Sequence, residues 1–154
     1  MNYWLLKTEP DVYSIDDLAR DRKTPWTGVR NYQARNYMRD SMKLGDLVVI
    51  YHSNTEPPGV VGTASVSSQA HADATALDKK SDYFDAKASK ENPIWMCVDI
   101  KFEKKFTNTL SLDKIRANPR LKSLQILQRG NRLSVTPLKK EEFDELCLQA
   151  TAKH

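Results

Sequence analysis

Apolar positions along the chain fall into short runs separated by polar punctuation. Tyr3-Trp4-Leu5-Leu6 stops at Lys7-Thr8-Glu9-Pro10 and predicts a first strand ended by proline. Ser14 then N-caps a short helix over residues 15–20, with Asp16 and Asp17 in the first turn, where the helix dipole favours acids. Pro25 and Gly28 bracket Trp26 and place that indole on a loop. Over residues 31–43 the spacing turns helical: Ala34, Tyr37, Met38 and Met42 share an inward face. Arg35, Arg39 and Lys43 form a basic stripe on another face of the same helix.

Residues 47–51 are continuously apolar and read as a strand covered on both sides. The next strand spans 60–66, with Gly62 marking a bulge or a close backbone approach. Residues 67–93 are polar and charged, and read as a long functional insertion between strands. Strict alternation over 94–102 puts Ile94, Met96, Val98, Ile100 and Phe102 on one strand face and Trp95 on the other. Helices are predicted at 112–117 and 120–127, a strand at 133–138, and a terminal amphipathic helix at 139–150 with Phe143, Leu146 and Cys147 inward. No repeat or composition shift divides residues 1–154 into two domains. Short strands with scattered helices predict an α+β domain on a small, curled, barrel-like sheet with peripheral helices.

Charge and composition narrow the function classes. Lys and Arg total 24 against 20 Asp and Glu, a formal +4, so a polyanion would be attracted by local clustering more than by the overall field. Cys97 and Cys147 lie far apart, in no Cys-x-x-Cys and with no paired His, which argues against zinc and a disulfide framework and fits a reducing setting. No apolar run approaches the roughly 20 residues of a membrane span, and no leader pattern opens the chain. Gly-rich phosphate loops, Gly-x-Ser-x-Gly and His-Glu-x-x-His are absent from the sequence.

Residues 26–36 concentrate a tryptophan, a tyrosine, two arginines and two asparagines around Gly28, types suited to stacking and reading a base. Trp4, Trp26 and Trp95 stand on different elements. They either fill the core or converge on a pocket that stacks an extruded or single-stranded base. Asn31, His52, Ser53 and Asn54 supply donors and acceptors for a base edge, although a histidine at a strand end serves equally as a structural hydrogen-bond partner. Arg30, Arg35 and Arg39 would suit phosphates, or simply solvate a helix face. Lys7-Thr8-Glu9 brings together an amine, a hydroxyl and a carboxylate. Neighbours on an extended segment point in opposite directions, so the trio also reads as a polar strand exit. His71 and His154 have no carboxylate or cysteine arrangement that would give them a role.

Residues 3–10, the run Trp26-Thr27-Gly28-Val29-Arg30-Asn31-Tyr32-Gln33-Ala34-Arg35-Asn36, Gly45-Asp46 followed by Tyr51-His52-Ser53, and Arg132-Leu133-Ser134-Val135 resemble the EVE domain family. That family belongs to the PUA-like superfamily and is related to the YTH readers of methylated adenine. The resemblance implies a small β-barrel with peripheral helices, no catalytic residue, no metal and no cofactor. It also implies a pocket that recognises a modified base, a modified cytosine in DNA above all, lined here by Trp4, Lys7, Trp26, Val29, Asn31, His52, Ser53 and Trp95. Arg30, Arg35 and Arg39 would hold phosphates. The expected partner is nucleic acid, DNA before RNA, met by a monomer in the nucleoid, nucleus or cytoplasm and not at a membrane. Two alternatives stay open: a small hydrolase of modified nucleosides using Lys7, Thr8 and Glu9, by analogy with ASCH relatives, and an RNA-binding accessory domain. Thr27 stands where the family commonly has Asp, and Ala86 where it has Pro.

Overall fold

The structure is a computed structural model describing residues 1–152; His154, assigned no role from sequence, lies outside the described residues. Its central element is the parallel pair of β1 (Tyr3–Thr8) and β3 (Leu47–His52), with Trp4 opposite Val48 and Leu6 opposite Ile50. Successive side chains of a strand face opposite ways, so these runs feed two cores at once. Trp4, Leu6, Val48 and Ile50 enter one, together with Ile15, Trp26, Ala34 and Met38. Leu5, Val49 and Tyr51 enter the other, with Ile115, Phe143 and Leu146.

Around that pair the sheet grows to six strands in the order β2-β7-β4-β3-β1-β8. The remaining strands are β2 (Lys23–Pro25), β4 (Gly59–Val66), β7 (Asp99–Ser111) and β8 (Val135–Leu138), which leaves β2 and β8 at the edges. Register shifts between Val60 and Gly62, and between Thr63 and Ala64, bend β4 against β7 and curl the sheet into a half-barrel. Gly62 sits at that bend because a Cβ there would run into the Lys104 carbonyl and the Ile15 side chain. A two-stranded ribbon, β5 (His71–Ala72) with β6 (Met96–Cys97), stands beside the main sheet. α1 (Ile15–Asp21) and α2 (Tyr32–Asn36) contribute to the first core, α3 (Leu112–Ala117) and α4 (Lys140–Thr151) to the second. The α+β, curled-sheet architecture expected from sequence is the one observed.

Several elements differ in extent. The helix predicted at 31–43 is α2 followed by a π turn at Tyr37–Ser41, in which the Met42 amide reaches the Tyr37 carbonyl at 2.8 Å. Ala34, Met38 and Met42 still reach the core, and the wider turn adjusts their spacing. The strand predicted at 94–102 is broken: Ile94 adopts a left-handed φ of 61°, β6 turns aside to pair with β5, and β7 starts only at Asp99. β7 then runs to Ser111, its part beyond Phe102 hidden in the sequence because most polar residues there are exposed and only the widely spaced Phe106 and Leu110 are buried. The helix predicted at 120–127 is two 3₁₀ turns, Pro119–Leu121 and Gln125–Leu127, since Leu121 and Leu124 bury at the three-residue repeat of that tighter helix.

The first core contains one polar anchor. Asp46 is 2% exposed and accepts from the Trp4 indole at 3.0 Å, the Asn2 amide at 3.0 Å and the Lys43 amide at 2.9 Å. It ties the start of β1 to the turn that launches β3. Asp46→Asn sets an amide N–H₂ against one of those donors and removes the charge, and is expected to cost about 2 kcal/mol in urea unfolding. An unchanged midpoint would refute the anchoring role.

Candidate functional site

A half-open cavity of about 520 Å³ lies where β1 leaves the sheet. Lys7, Thr8 and Glu9 form one side, and Tyr13, Thr24 and Pro25 the floor beside β2. The loop from Trp26 to Arg30 makes a second wall, on which the Tyr83 ring from the long insertion packs, and Ser134 completes the lining. Backbone bonds set the frame: Lys7 N–H donates to the Ser134 carbonyl at 2.8 Å, and Trp26 N–H to the Val98 carbonyl at 2.9 Å.

Trp26 is only 7% exposed and packs edge-on against Tyr13, ring centroids 6.0 Å apart. Its indole therefore offers the cavity a limited surface backed by core. Tyr13 is itself fixed, its hydroxyl donating to Asp21 at 2.8 Å, and burial followed by that contact pushes its pKa up to about 12. Thr8 donates its hydroxyl to the Tyr13 carbonyl at 2.8 Å, holding the turn between them.

The insertion is brought to the loop by a carboxylate that the sequence did not single out. Asp73, 1% exposed, accepts from the Gly28 amide at 2.9 Å, from Arg30 Nη1 at 3.0 Å and from the Thr75 amide and hydroxyl. Burial would raise its pKa, yet hydrogen bonds led by Thr75, Gly28 and Arg30 outweigh burial and hold it below the usual carboxylate range. Arg30 also donates from Nε and Nη2 to the Tyr83 carbonyl, from Nη2 to the Thr75 hydroxyl and from Nη1 to the Val29 carbonyl. All five guanidinium donors are thereby committed. Gly28, at a φ of 86°, lies directly under the Tyr83 ring, where a Cβ would sit 2.7 Å from a ring carbon.

Comparison with known proteins places this arrangement. The EVE domain model matches residues 2–149. The chain belongs to the EVE domain family. Rat thymocyte nuclear protein 1 is 39% identical over 162 residues, covering 93% of this chain and 71% of that protein. Among solved structures, a hypothetical protein from Leishmania major is 46% identical with a TM-score of 0.94, covering 97% of this chain and 94% of the other. Human THYN1, solved in complex with 5-methylcytosine-containing DNA, is 33% identical with a TM-score of 0.92 over the whole of both chains. An ASCH protein from Zymomonas mobilis, 12% identical with a TM-score of 0.53, shares the fold alone.

Within this EVE domain, Lys7, Trp26 and Val29 line the cavity together, joined by Arg30. The other residues proposed from sequence lie elsewhere. Trp4 is in the core on Asp46. Asn31 caps α2, its Oδ1 accepting from the Ala34 amide at 3.0 Å. His52 accepts the Ile15 amide at Nε2, 3.1 Å away, and so caps α1 from outside; Ser53 donates its own amide to the Thr8 carbonyl at 2.9 Å. Trp95 donates its indole N–H to Asp85 at 2.8 Å and stacks on Tyr32 at 4.8 Å, with Arg30 and Arg35 against its ring. It secures the insertion behind the cavity wall.

The arginines are likewise occupied. Arg35 donates to the Ile94 carbonyl and the Asn36 side chain, and Arg39 pairs with Asp40 at 2.8 Å. His71 is a correction: its Nε2 lies 2.8 Å from Asp99 and its ring 3.8 Å from Cys97, partners 28 and 26 residues away in sequence. Burial, then Asp73 and Asp99, push the Cys97 thiol up to about 12, so it stays protonated. No group of three His, Cys, Asp or Glu residues that could hold a metal ion occurs among the described residues, and no helix there is long and apolar enough to cross a membrane. Tyr83, Tyr13 and Asp73 are the site residues that sequence reasoning missed; an Asp two positions before Thr75 in a polar stretch was the available signal, a side chain placed to cap a turn.

Asp73→Asn leaves the partly buried Arg30 without its counter-charge and is expected to cost about 3 kcal/mol in guanidinium unfolding. Wild-type stability in that variant would refute the clamp. Burial pushes the His52 pKa below its ordinary value, and the neutral ring is the form that accepts Ile15 N–H. That contribution is complete above the unfolded value near 6.5 and is lost as pH falls through the folded value. Urea midpoints of the parent should therefore drop on acidification below about pH 6.5 more steeply than those of His52→Gln; parallel curves would contradict this.

Proposed function

We propose that the protein is a non-enzymatic reader of a modified base in DNA, a modified cytosine in particular, and that it holds the extruded base in the cavity lined by Lys7, the Trp26 loop and the Tyr83 ring that packs on that loop. The observation that carries this reading is the cavity itself: about 520 Å³, lined by Tyr83 and Trp26 together with apolar Val29 and Lys7. It lies on a fold superposing over its full length with a relative solved on methylcytosine DNA. Aromatic faces hold an unstacked base, and that stacking, about 1–3 kcal/mol per base, offsets the cost of extruding it from the duplex. A methyl group pressed against Val29 would add roughly 0.8 kcal/mol, a several-fold preference. Lys7 supplies a donor for the base edge or its own phosphate.

The clamp of Arg30 on Asp73 and Tyr83 supports a preformed wall, so binding spends little on ordering it. Thr8, the nucleophile of the hydrolase alternative, spends its hydroxyl proton on the Tyr13 carbonyl, which favours the binding reading.

Tyr83→Ala tests the reading, because Arg30 holds the Tyr83 carbonyl and the substitution leaves that bond in place while it removes the ring. Anisotropy titration with a duplex carrying one 5-methylcytosine should show a loss of about tenfold (~1.4 kcal/mol), with circular dichroism unchanged. A folded variant with parental affinity would exclude the cavity as the base site.

A further inference from the structure

The reading above leaves the DNA backbone without a seat, since the arginines of the Trp26 loop and of the following helical turns are committed to protein acceptors. A second groove of about 410 Å³ is lined by chain neighbours of the cavity's own residues. The two share chain neighbours: Arg30 and Ser134 line the cavity, while Asn31 and Leu133 line the groove. Its other contributors include Arg129, Asn131 and Arg132, and no acidic residue lines it.

The groove is built and not merely a gap. Asn131 fixes its loop from within, its Nδ2 donating to the Gln125 carbonyl at 2.7 Å and its Oδ1 accepting the Leu133 amide at 2.8 Å. Gly130 turns the chain at a φ of 78° between the two arginines. Arg129 and Arg132 are exposed, and neither takes part in an ion pair among the described residues. Asn31 spends its oxygen on the helix cap and keeps its amide N–H₂ for the groove. Two cations and an amide donor with no anion among them are the chemistry of a phosphate seat. Arg132 also belongs to the Arg132-Leu133-Ser134-Val135 motif, whose serine reaches the cavity while its arginine stays outside.

We propose that this groove holds the DNA phosphates flanking the extruded nucleotide, with Arg129 and Arg132 as their partners. The proposal rests on the base-cavity reading for its choice of ligand. Phosphate contacts position without reading sequence, so the groove sets affinity and salt dependence while the cavity sets preference for the modification.

The test measures binding of the full chain to a short duplex with a single 5-methylcytosine and to its unmodified copy, across a salt series. For the double variant R129Q/R132Q, the slope of log affinity against log salt should shrink by about 1 to 2, since each lost phosphate contact removes roughly 0.9. Its ratio of methylated to unmethylated affinity should equal that of the parent. R129K/R132K keeps the charges and should keep most of the slope. Tyr83→Ala should show the opposite pattern, a lower affinity on an unchanged slope. A parental slope in a folded R129Q/R132Q would overturn the groove. A parent without methyl preference would overturn the cavity reading instead, and the slope comparison would then decide the groove by itself.

Discussion

The ion pair of Arg30 with Asp73 is the contact on which the site depends. Residues 26–30 and the insertion that carries Tyr83 have no backbone reason to lie side by side; the buried carboxylate and the five-donor guanidinium supply one. A planar fork is needed, because acceptors from Asp73, Thr75, Val29 and Tyr83 are reached at once. A lysine has neither the number of donors nor their fixed directions. Desolvating the pair is tolerable only because nearly every lone pair and proton in it finds a partner.

Beneath that polar clasp, the two-sided core provides a stiff base. β1 and β3 send alternate residues into separate clusters, so the strand that ends at Thr8 is held from both faces up to the point where it meets the cavity. The cavity therefore stands on a rigid edge, its opposite wall fixed by Arg30 and backed by the stack of Trp95 on Tyr32. Rigid first contacts supported from behind are what a binding site requires for geometric precision.

The sequence made the fold legible where hydrophobic signals were dense. Continuous runs identified β1 and β3, Ser14 announced α1, and Leu112–Ala117 emerged with its observed limits. The extension of β7 beyond Phe102 escaped because its buried positions there are sparse, and the 3₁₀ turns because their leucines fit a helix equally well over so short a span. Motif resemblance led to the family and to the neighbourhood of residues 7 and 26–30. It did not separate Trp26, at the cavity, from Trp4, which answers to Asp46. The arginines were hardest to read. Whether a guanidinium is free depends on carbonyls such as those of Tyr83 and Ile94, 53 and 59 residues away, and backbone acceptors leave no mark in a sequence. Asp73 was hidden for the same reason, its Gly28 and Arg30 partners being 45 and 43 residues distant.

The open sheet has two edges, and both carry a proline: Pro25 in β2 and Pro137 in β8. Proline has no amide proton to offer a neighbouring strand, and the exposed Lys23 beside Pro25 adds an unfavourable charge to any such pairing. The half-barrel is thus closed to growth by strand addition, whether by a peptide or by another copy of itself. Partners must be met through side chains and loops, which is where the chain has concentrated its cavity, its aromatic rings and its uncommitted arginines.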